Sequence, residues 1–197
     1  MGLSLKKWCL LCLCAITLAS AHPHVFVDAS IVVFFDETGF AGVRNQWVYD
    51  ELYSVAMMST GDADGDGNIS QKENEWFCKA ILGPLRESNY YNYVQMGSDF
   101  LRVRDIRNFK ATFRNNRLVL NFEAVFSGPA TSDYTMLVMT VADPTNYIQI
   151  TTDMEKADVS GPESLEIEFF NDALQGLTLF KAFRSDIEGL YLRYKKK

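Results

Sequence analysis

From position 24 onward, apolar residues recur at every second position, which is typical of a β-strand with one buried face. The residues on this face are Val25, Val27, Ala29, Ile31, Val33 and Phe35. Turn-forming residues follow at 36–42, and residues 43–49 form a second strand-like run. The pattern therefore predicts a β-hairpin at the start of the domain.

After this hairpin the apolar spacing changes to that of helices. Residues 51–60 predict one short helix, and residues 70–82 predict another whose apolar residues share one face. A Gly-Pro pair ends the second helix, and residues 85–97 are predicted to add more helix. The last stretch, 180–194, is compatible with helix or strand. Strand-like runs lie between these parts, at 109–113, 117–126, 134–142, 147–152 and 165–170.

Together these elements predict an α+β protein. It consists of an antiparallel β-sheet with a helical, EF-hand-like insertion at about 51–82, directly after the first hairpin. No linker or internal repeat divides residues 22–197. We therefore expect one domain, which is long enough to bury a sizeable core.

The segment between the two predicted helices, "DADGDGNISQKE", has the ligand spacing of a calcium loop. Calcium prefers six to eight oxygen ligands, and a twelve-residue loop supplies them from fixed positions. The predicted ligands are Asp62, Asp64, Asp66, the carbonyl of Asn68, Ser70 through a water, and Glu73. Gly67 lies where such a loop turns sharply. The alternative is an acidic surface loop whose side chains only satisfy its own backbone.

The two histidines of the chain, His22 and His24, flank Pro23. Side chains two residues apart on a strand point the same way, about 7 Å apart. Two imidazoles so placed can bind one nickel, cobalt, zinc or copper ion. Asp28 shares their face but lies about 13 Å from His24 along a strand, too far to bind the same ion. The alternative is that both histidines are ordinary residues near a cleavage site.

Residues 1–21 have the three parts of a secretory signal peptide: a short basic start, an apolar core and small residues before the cleavage point. The apolar run is short for a membrane span. Cleavage after Ala21 would make His22 the new N-terminus, and its free amine would add a third nitrogen to the histidine site. We therefore expect an exported protein.

Charge and motifs exclude several classes of function. The net charge of −6 argues against nucleic acid as a partner, because the phosphate backbone requires a basic surface. The sequence contains no zinc-protease His-Glu-x-x-His, no Gly-x-Ser-x-Gly nucleophile motif and no phosphate-binding glycine loop. We therefore expect a protein that is not an enzyme.

Three stretches, "AHPHVFVD", "DADGDGNIS" and "VADPTNYIQI", together resemble a family of secreted bacterial proteins, the domain of unknown function 1007. The last contains a turn similar to the family's Asp-Pro-Thr-Tyr-Tyr, formed here by Asp143, Pro144, Thr145 and Tyr147, with Asn146 in place of the first tyrosine. Members are labelled by homology as periplasmic components of ABC-type transport systems. The resemblance implies a periplasmic location and a neighbouring metal permease as partner, but no reaction.

The resulting expectation is a periplasmic, calcium-stabilised accessory protein that binds divalent metal ions. It would serve the transport or homeostasis of nickel, cobalt, zinc or copper. The alternative is a calcium-stabilised periplasmic interaction module with no transition-metal role. Titration with these metals separates the two.

Overall fold

The first hairpin is long and antiparallel. The computed structural model describes residues 24–174 and 187–197; the predicted signal peptide, His22 and residues 175–186 lie outside this part. Strand β1 (Val25–Asp36) pairs with β2 (Gly39–Tyr49). Every apolar position predicted for the inner face of β1 is buried. The prediction of a hairpin at this place is confirmed.

Two short helices follow the hairpin. Helix α1 (Glu51–Gly61) begins after Asp50, whose Oδ1 accepts a hydrogen bond from Tyr53 N at 2.9 Å and so caps the helix. Helix α2 (Gln71–Phe77) continues into a π-helical turn at Cys78–Leu82 and a 3₁₀ turn at Gly83–Arg86. Within residues 24–174 and 187–197, no helix is long and apolar enough to cross a bilayer.

The rest of the described chain is mainly strand. Two further 3₁₀ turns lie at Asn89–Tyr91 and Met154–Lys156. The strands are β3 (Asn92–Met96), β4 (Asp99–Leu101), β5 (Asp105–Arg114), β6 (Arg117–Pro129), β7 (Thr135–Val141), β8 (Ile148–Thr152), β9 (Asp158–Ser160), β10 (Leu165–Ala173) and β11 (Glu188–Lys196).

The strands form two sheets that share one core. The first has the order β5-β6-β2-β1-β8, with β9 also paired to β1, and the second has the order β10-β11-β7-β3-β4. β8 and β9 run parallel to β1, whereas the other pairs are antiparallel. Trp47 of β2, fully buried, contacts Phe122 within its own sheet and Tyr91 beside the second sheet. Burial of such aromatic residues is the main source of stability in a core of this kind.

The prediction of an α+β fold is wrong, because the described residues form a mostly β protein of two sheets with only two short helices. The prediction of an EF-hand-like helical insertion at 51–82 is wrong as well. The second helix there has only seven residues before the π-helical turn begins. The segment is thus a small addition to a β protein rather than a helical unit of its own.

The predicted helix at 85–97 is also wrong, and the backbone gives the reason. Asn89, Tyr90 and Tyr91 all have positive φ, between 52° and 56°, and a right-handed helix cannot continue through them. The buried Asn89 side chain fixes this turn by donating to the carbonyls of Asn92 and Leu101. The chain then enters β3 instead of a helix.

Candidate metal centres

The residues from Asp62 to Glu73, here called the aspartate loop, connect the two helices and include the first three residues of α2. Gly61 is the last residue of α1, and its backbone lies very close to α2. A Cβ added at Gly61 would be only 2.5 Å from the ring of the buried Phe77. A side chain at this position would therefore force the helices apart. The ends of the aspartate loop are held together by this contact.

Three carboxylates of the aspartate loop converge. Oxygen atoms of Asp62, Asp64 and Asp66 lie within 4.8 Å of one another, and no other such group of metal-binding side chains occurs among the described residues. Gly67 has a φ of +78°, so the chain makes its sharp turn at the glycine that the sequence predicted. A cluster of carboxylate oxygens is the donor set that calcium prefers.

The same carboxylates also accept hydrogen bonds from the loop backbone. Asp62 accepts from the N–H groups of Gly65 and Gly67, at 2.8 and 2.9 Å. Asp64 Oδ1 accepts from Asp66 N at 3.2 Å, and Asp66 Oδ1 from Asn68 N at 2.7 Å. These are the Asx-type contacts of the alternative interpretation, so the loop geometry is compatible with both interpretations.

Glu73 and Ser70 close the aspartate loop at the start of α2. Glu73 Oε1 accepts from Ala63 N and Oε2 from Ser70 N, both at 2.7 Å, and Ser70 Oγ accepts from Glu73 N in a capping box. Hydrogen bonds from Ser70 and Ala63 lower the pKa of the Glu73 carboxyl, which therefore stays ionised in mild acid. Glu73 lies outside the cluster of three aspartates.

Asn74, directly after the aspartate loop, fastens α2 to the edge of the first sheet. Its Nδ2 donates to Phe109 O at 3.2 Å, and its Oδ1 accepts from Ala111 N at 2.7 Å. The side chain amide thus bonds to strand β5 as a neighbouring strand would. The sequence alone gave Asn74 no role, because its partners lie 35 and 37 residues away.

Replacing Asn74 with alanine is expected to lower the free energy of unfolding by about 2 kcal/mol, because the two backbone groups on β5 lose their partner. Urea unfolding of the variant and the wild type measures the difference. The control is Gln71→Ala, which removes an exposed amide from the same helix. Equal stability of the Asn74 and Gln71 variants would contradict the role of Asn74.

The second candidate centre is His24, which lies just before β1. Its side chain is exposed, its backbone N–H donates to Tyr147 O at 3.1 Å, and its ring centroid is 5.4 Å from that of Tyr147. His22, its predicted co-ligand, lies outside the described residues. Asp28 is engaged elsewhere, in an ion pair with Arg117 at 2.8 Å.

Tyr147 belongs to the Asp143–Tyr147 turn, which leads into β8. Because β8 runs parallel to β1, with Val25 opposite Ile148, the residues before both strands lie side by side. The contact between His24 and Tyr147 was not predicted from the sequence. The His-Pro-His stretch and the Asp143–Tyr147 turn each precede a strand-like run, but nothing in the sequence pairs the two strands.

The buried carboxylate of Asp143 holds the turn together. It accepts hydrogen bonds from Thr145 N and Oγ1, at 2.8 and 2.7 Å, and from the backbone N–H groups of Tyr147 and Ile148, at 3.1 and 3.0 Å. Burial, with the Asp143 carboxylate close by, raises the pKa of Tyr91 to about 12. Asp143 thus fixes the backbone of the turn that leads into β8.

Asn146 stands where the motif has its first tyrosine. Its φ is +57°, in the left-handed region, which asparagine adopts readily. Asparagine is therefore compatible with the backbone of this turn.

The family model for proteins of unknown function, DUF1007, matches residues 8–169, which is most of the 197-residue chain. The chain belongs to the DUF1007 family. The DUF1007 match contains His24, the aspartate loop and the Asp143–Tyr147 turn, so both candidate centres lie inside the family region. As a family of unknown function, DUF1007 assigns no activity to them. No match to this chain was found among curated proteins.

Proposed function

We propose that this chain is an exported, periplasmic protein that calcium stabilises and that binds a divalent transition metal through His22 and His24. In this proposal residues 1–21 are a signal peptide, and cleavage after Ala21 frees the amine of His22. The protein would serve a membrane permease in the transport or homeostasis of nickel, cobalt, zinc or copper. It has no enzymatic activity in this proposal.

The observation that carries the proposal is the convergence of Asp62, Asp64 and Asp66 within 4.8 Å on a loop of the predicted calcium spacing. Three close carboxylates repel one another, and a bound divalent cation would neutralise that repulsion. Extracellular modules bind calcium with dissociation constants of about 0.1–1 mM, so a structural ion suits a periplasmic protein.

The role of His24 in transition-metal binding is supported by its exposure at the end of a fixed strand. Nitrogen ligands favour nickel, copper and zinc over magnesium and calcium, so the two centres would select different ions. The aspartate loop would hold the structural ion, and the histidines would hold the transported one.

The exported protein, isolated from the periplasm, is expected to begin at His22 and to bind Ni²⁺ or Cu²⁺ much more tightly than Mg²⁺. Amino-terminal sequencing and calorimetric titration test both points. Binding should weaken in acid, because metal ligands must lose their protons. His24→Ala should remove this binding and leave calcium binding intact. Equal affinity in the variant and the wild type would show that His24 is not a ligand.

A second candidate function, an interaction module with no transition-metal role, is favoured by a different observation. Strand β10 lies at the edge of the second sheet and exposes 47% of Phe169 and 59% of Phe170. Exposed aromatic residues on a sheet edge are typical of partner surfaces. Calcium binding without any binding of Ni²⁺ or Cu²⁺ in the same titration would favour this candidate.

A further inference from the structure

His24 and Tyr147 lie 123 positions apart in sequence and come together at one corner of the first sheet. The hydrogen bond from His24 N to Tyr147 O, 3.1 Å long, directly precedes the parallel pairing of β1 with β8, which starts at Val25 and Ile148. The backbone of His24 is therefore fixed, while its side chain is exposed beyond the last paired residues. The direction of the imidazole then depends on what packs against it.

The ring of Tyr147 packs against that imidazole. The two ring centroids are 5.4 Å apart and the planes are tilted by 54°, which is a normal geometry for an aromatic pair. Tyr147 is 58% exposed, so its ring supports His24 without covering it. The contact restricts the rotation of the imidazole and leaves its solvent side accessible.

Tyr147 is itself held in place by its turn. Asp143, only 5% exposed, accepts hydrogen bonds from Tyr147 N and Ile148 N and fixes the backbone of the turn. Ile148, the next residue, starts the parallel pairing of β8 with β1. The ring of Tyr147 therefore packs against His24 from a backbone that is fixed on both sides.

We propose that Tyr147 is a positioning residue that orients the His24 imidazole toward a divalent transition metal. This inference rests on the transition-metal function proposed above. A metal ligand that is already oriented loses less conformational freedom on binding, and so binds more tightly. Groups that orient metal-binding histidines typically contribute about 10- to 100-fold in affinity. Tyr147 acts through ring packing and not through a hydrogen bond, so we expect the lower end of this range.

Tyr147→Ala should weaken binding of Ni²⁺ and Cu²⁺ about tenfold, whereas Tyr147→Phe, which keeps the ring, should bind within about twofold of the wild type. The visible absorption spectrum of bound Cu²⁺ should change in the alanine variant and not in the phenylalanine variant. The control is Tyr134→Ala, which removes an exposed tyrosine that lies just before β7. Calcium affinity and melting temperature, measured on the same samples, report any general loss of structure.

In the wild type without metal, nuclear Overhauser contacts between the His24 and Tyr147 rings should be observed, and this measurement needs no variant. Their absence would overturn the inference, as would equal metal affinity of the wild type and Tyr147→Ala. With either of these results, binding of Ni²⁺ by the wild type would still support the proposed function. Failure of the wild type to bind Ni²⁺ or Cu²⁺ would overturn the proposed function and, with it, the role of Tyr147.

Discussion

Calcium is expected to raise the melting temperature of the wild-type protein by about 5–10 °C when its concentration is a hundredfold above the dissociation constant. The stabilisation at this excess is about 2.7 kcal/mol, because the ion binds the folded protein and not the unfolded chain. Thermal unfolding in calcium and in a chelator measures the difference. Identical melting temperatures would show that the aspartate loop binds no calcium.

The variant Asp64→Asn tests whether Asp64 is a cation ligand or only accepts a hydrogen bond from the loop backbone. Only Oδ1 of Asp64 accepts a loop hydrogen bond, from Asp66 N, and asparagine keeps one such oxygen. In chelator the variant should therefore melt no lower than the wild type, because it keeps this acceptor and loses one of three mutually repelling charges. In calcium its melting temperature should be about 3–6 °C lower, if the loss of one charged ligand weakens affinity tenfold. The control is Asp133→Asn, at an exposed carboxylate elsewhere.

Replacing Asp143 with alanine is expected to lower the free energy of unfolding by about 3 kcal/mol and the melting temperature by about 6–12 °C. The buried carboxylate accepts four hydrogen bonds from its own turn, and each donor would lose its partner. Chemical and thermal unfolding measure the effect.

The matched control for Asp143 is Asp153→Ala. Asp153 is exposed and pairs with Lys156 three residues later, and surface pairs of this kind contribute less than about 1 kcal/mol. A variant at Asp143 that is no less stable than the one at Asp153 would contradict the structural role of the turn. Loss of the turn should also release Tyr147 from His24, so metal affinity should fall together with stability.

Local patterns predicted the elements whose determinants lie close together in sequence. The period-two alternation of β1 and the turn after it predicted the hairpin, because each signal spans only a few residues. The turn of the β5–β6 hairpin also depends on neighbouring residues, since Asn115 and Asn116 adopt the positive φ that a tight turn requires. The prediction failed at 85–97, where the polar side chain of Asn89, bonded to Leu101 and Val103, decides the backbone.

The same distinction between local and distant determinants applies to the two candidate metal centres. The six predicted ligands of the aspartate loop lie within twelve consecutive residues, and the structure brings the carboxylates of three of them together. The partners of Asn74 and His24 were not predicted, since they come from β5 and from the turn before β8. Nothing in the residues near position 24 indicates which later segment will lie beside them.

The sequence by itself determined the family, most of the strands and the spacing of the aspartate loop, because these depend on neighbouring residues. Only the tertiary structure decided that the protein is mostly β, that β8 lies parallel to β1, and that Tyr147 supports His24. Which strands lie next to each other depends on how entire sheet faces pack into one core. A periodic pattern shows which face of a strand is buried, but not which strand pairs with it. The corner where His24 meets Tyr147 exists because that packing places the ends of two distant strands side by side.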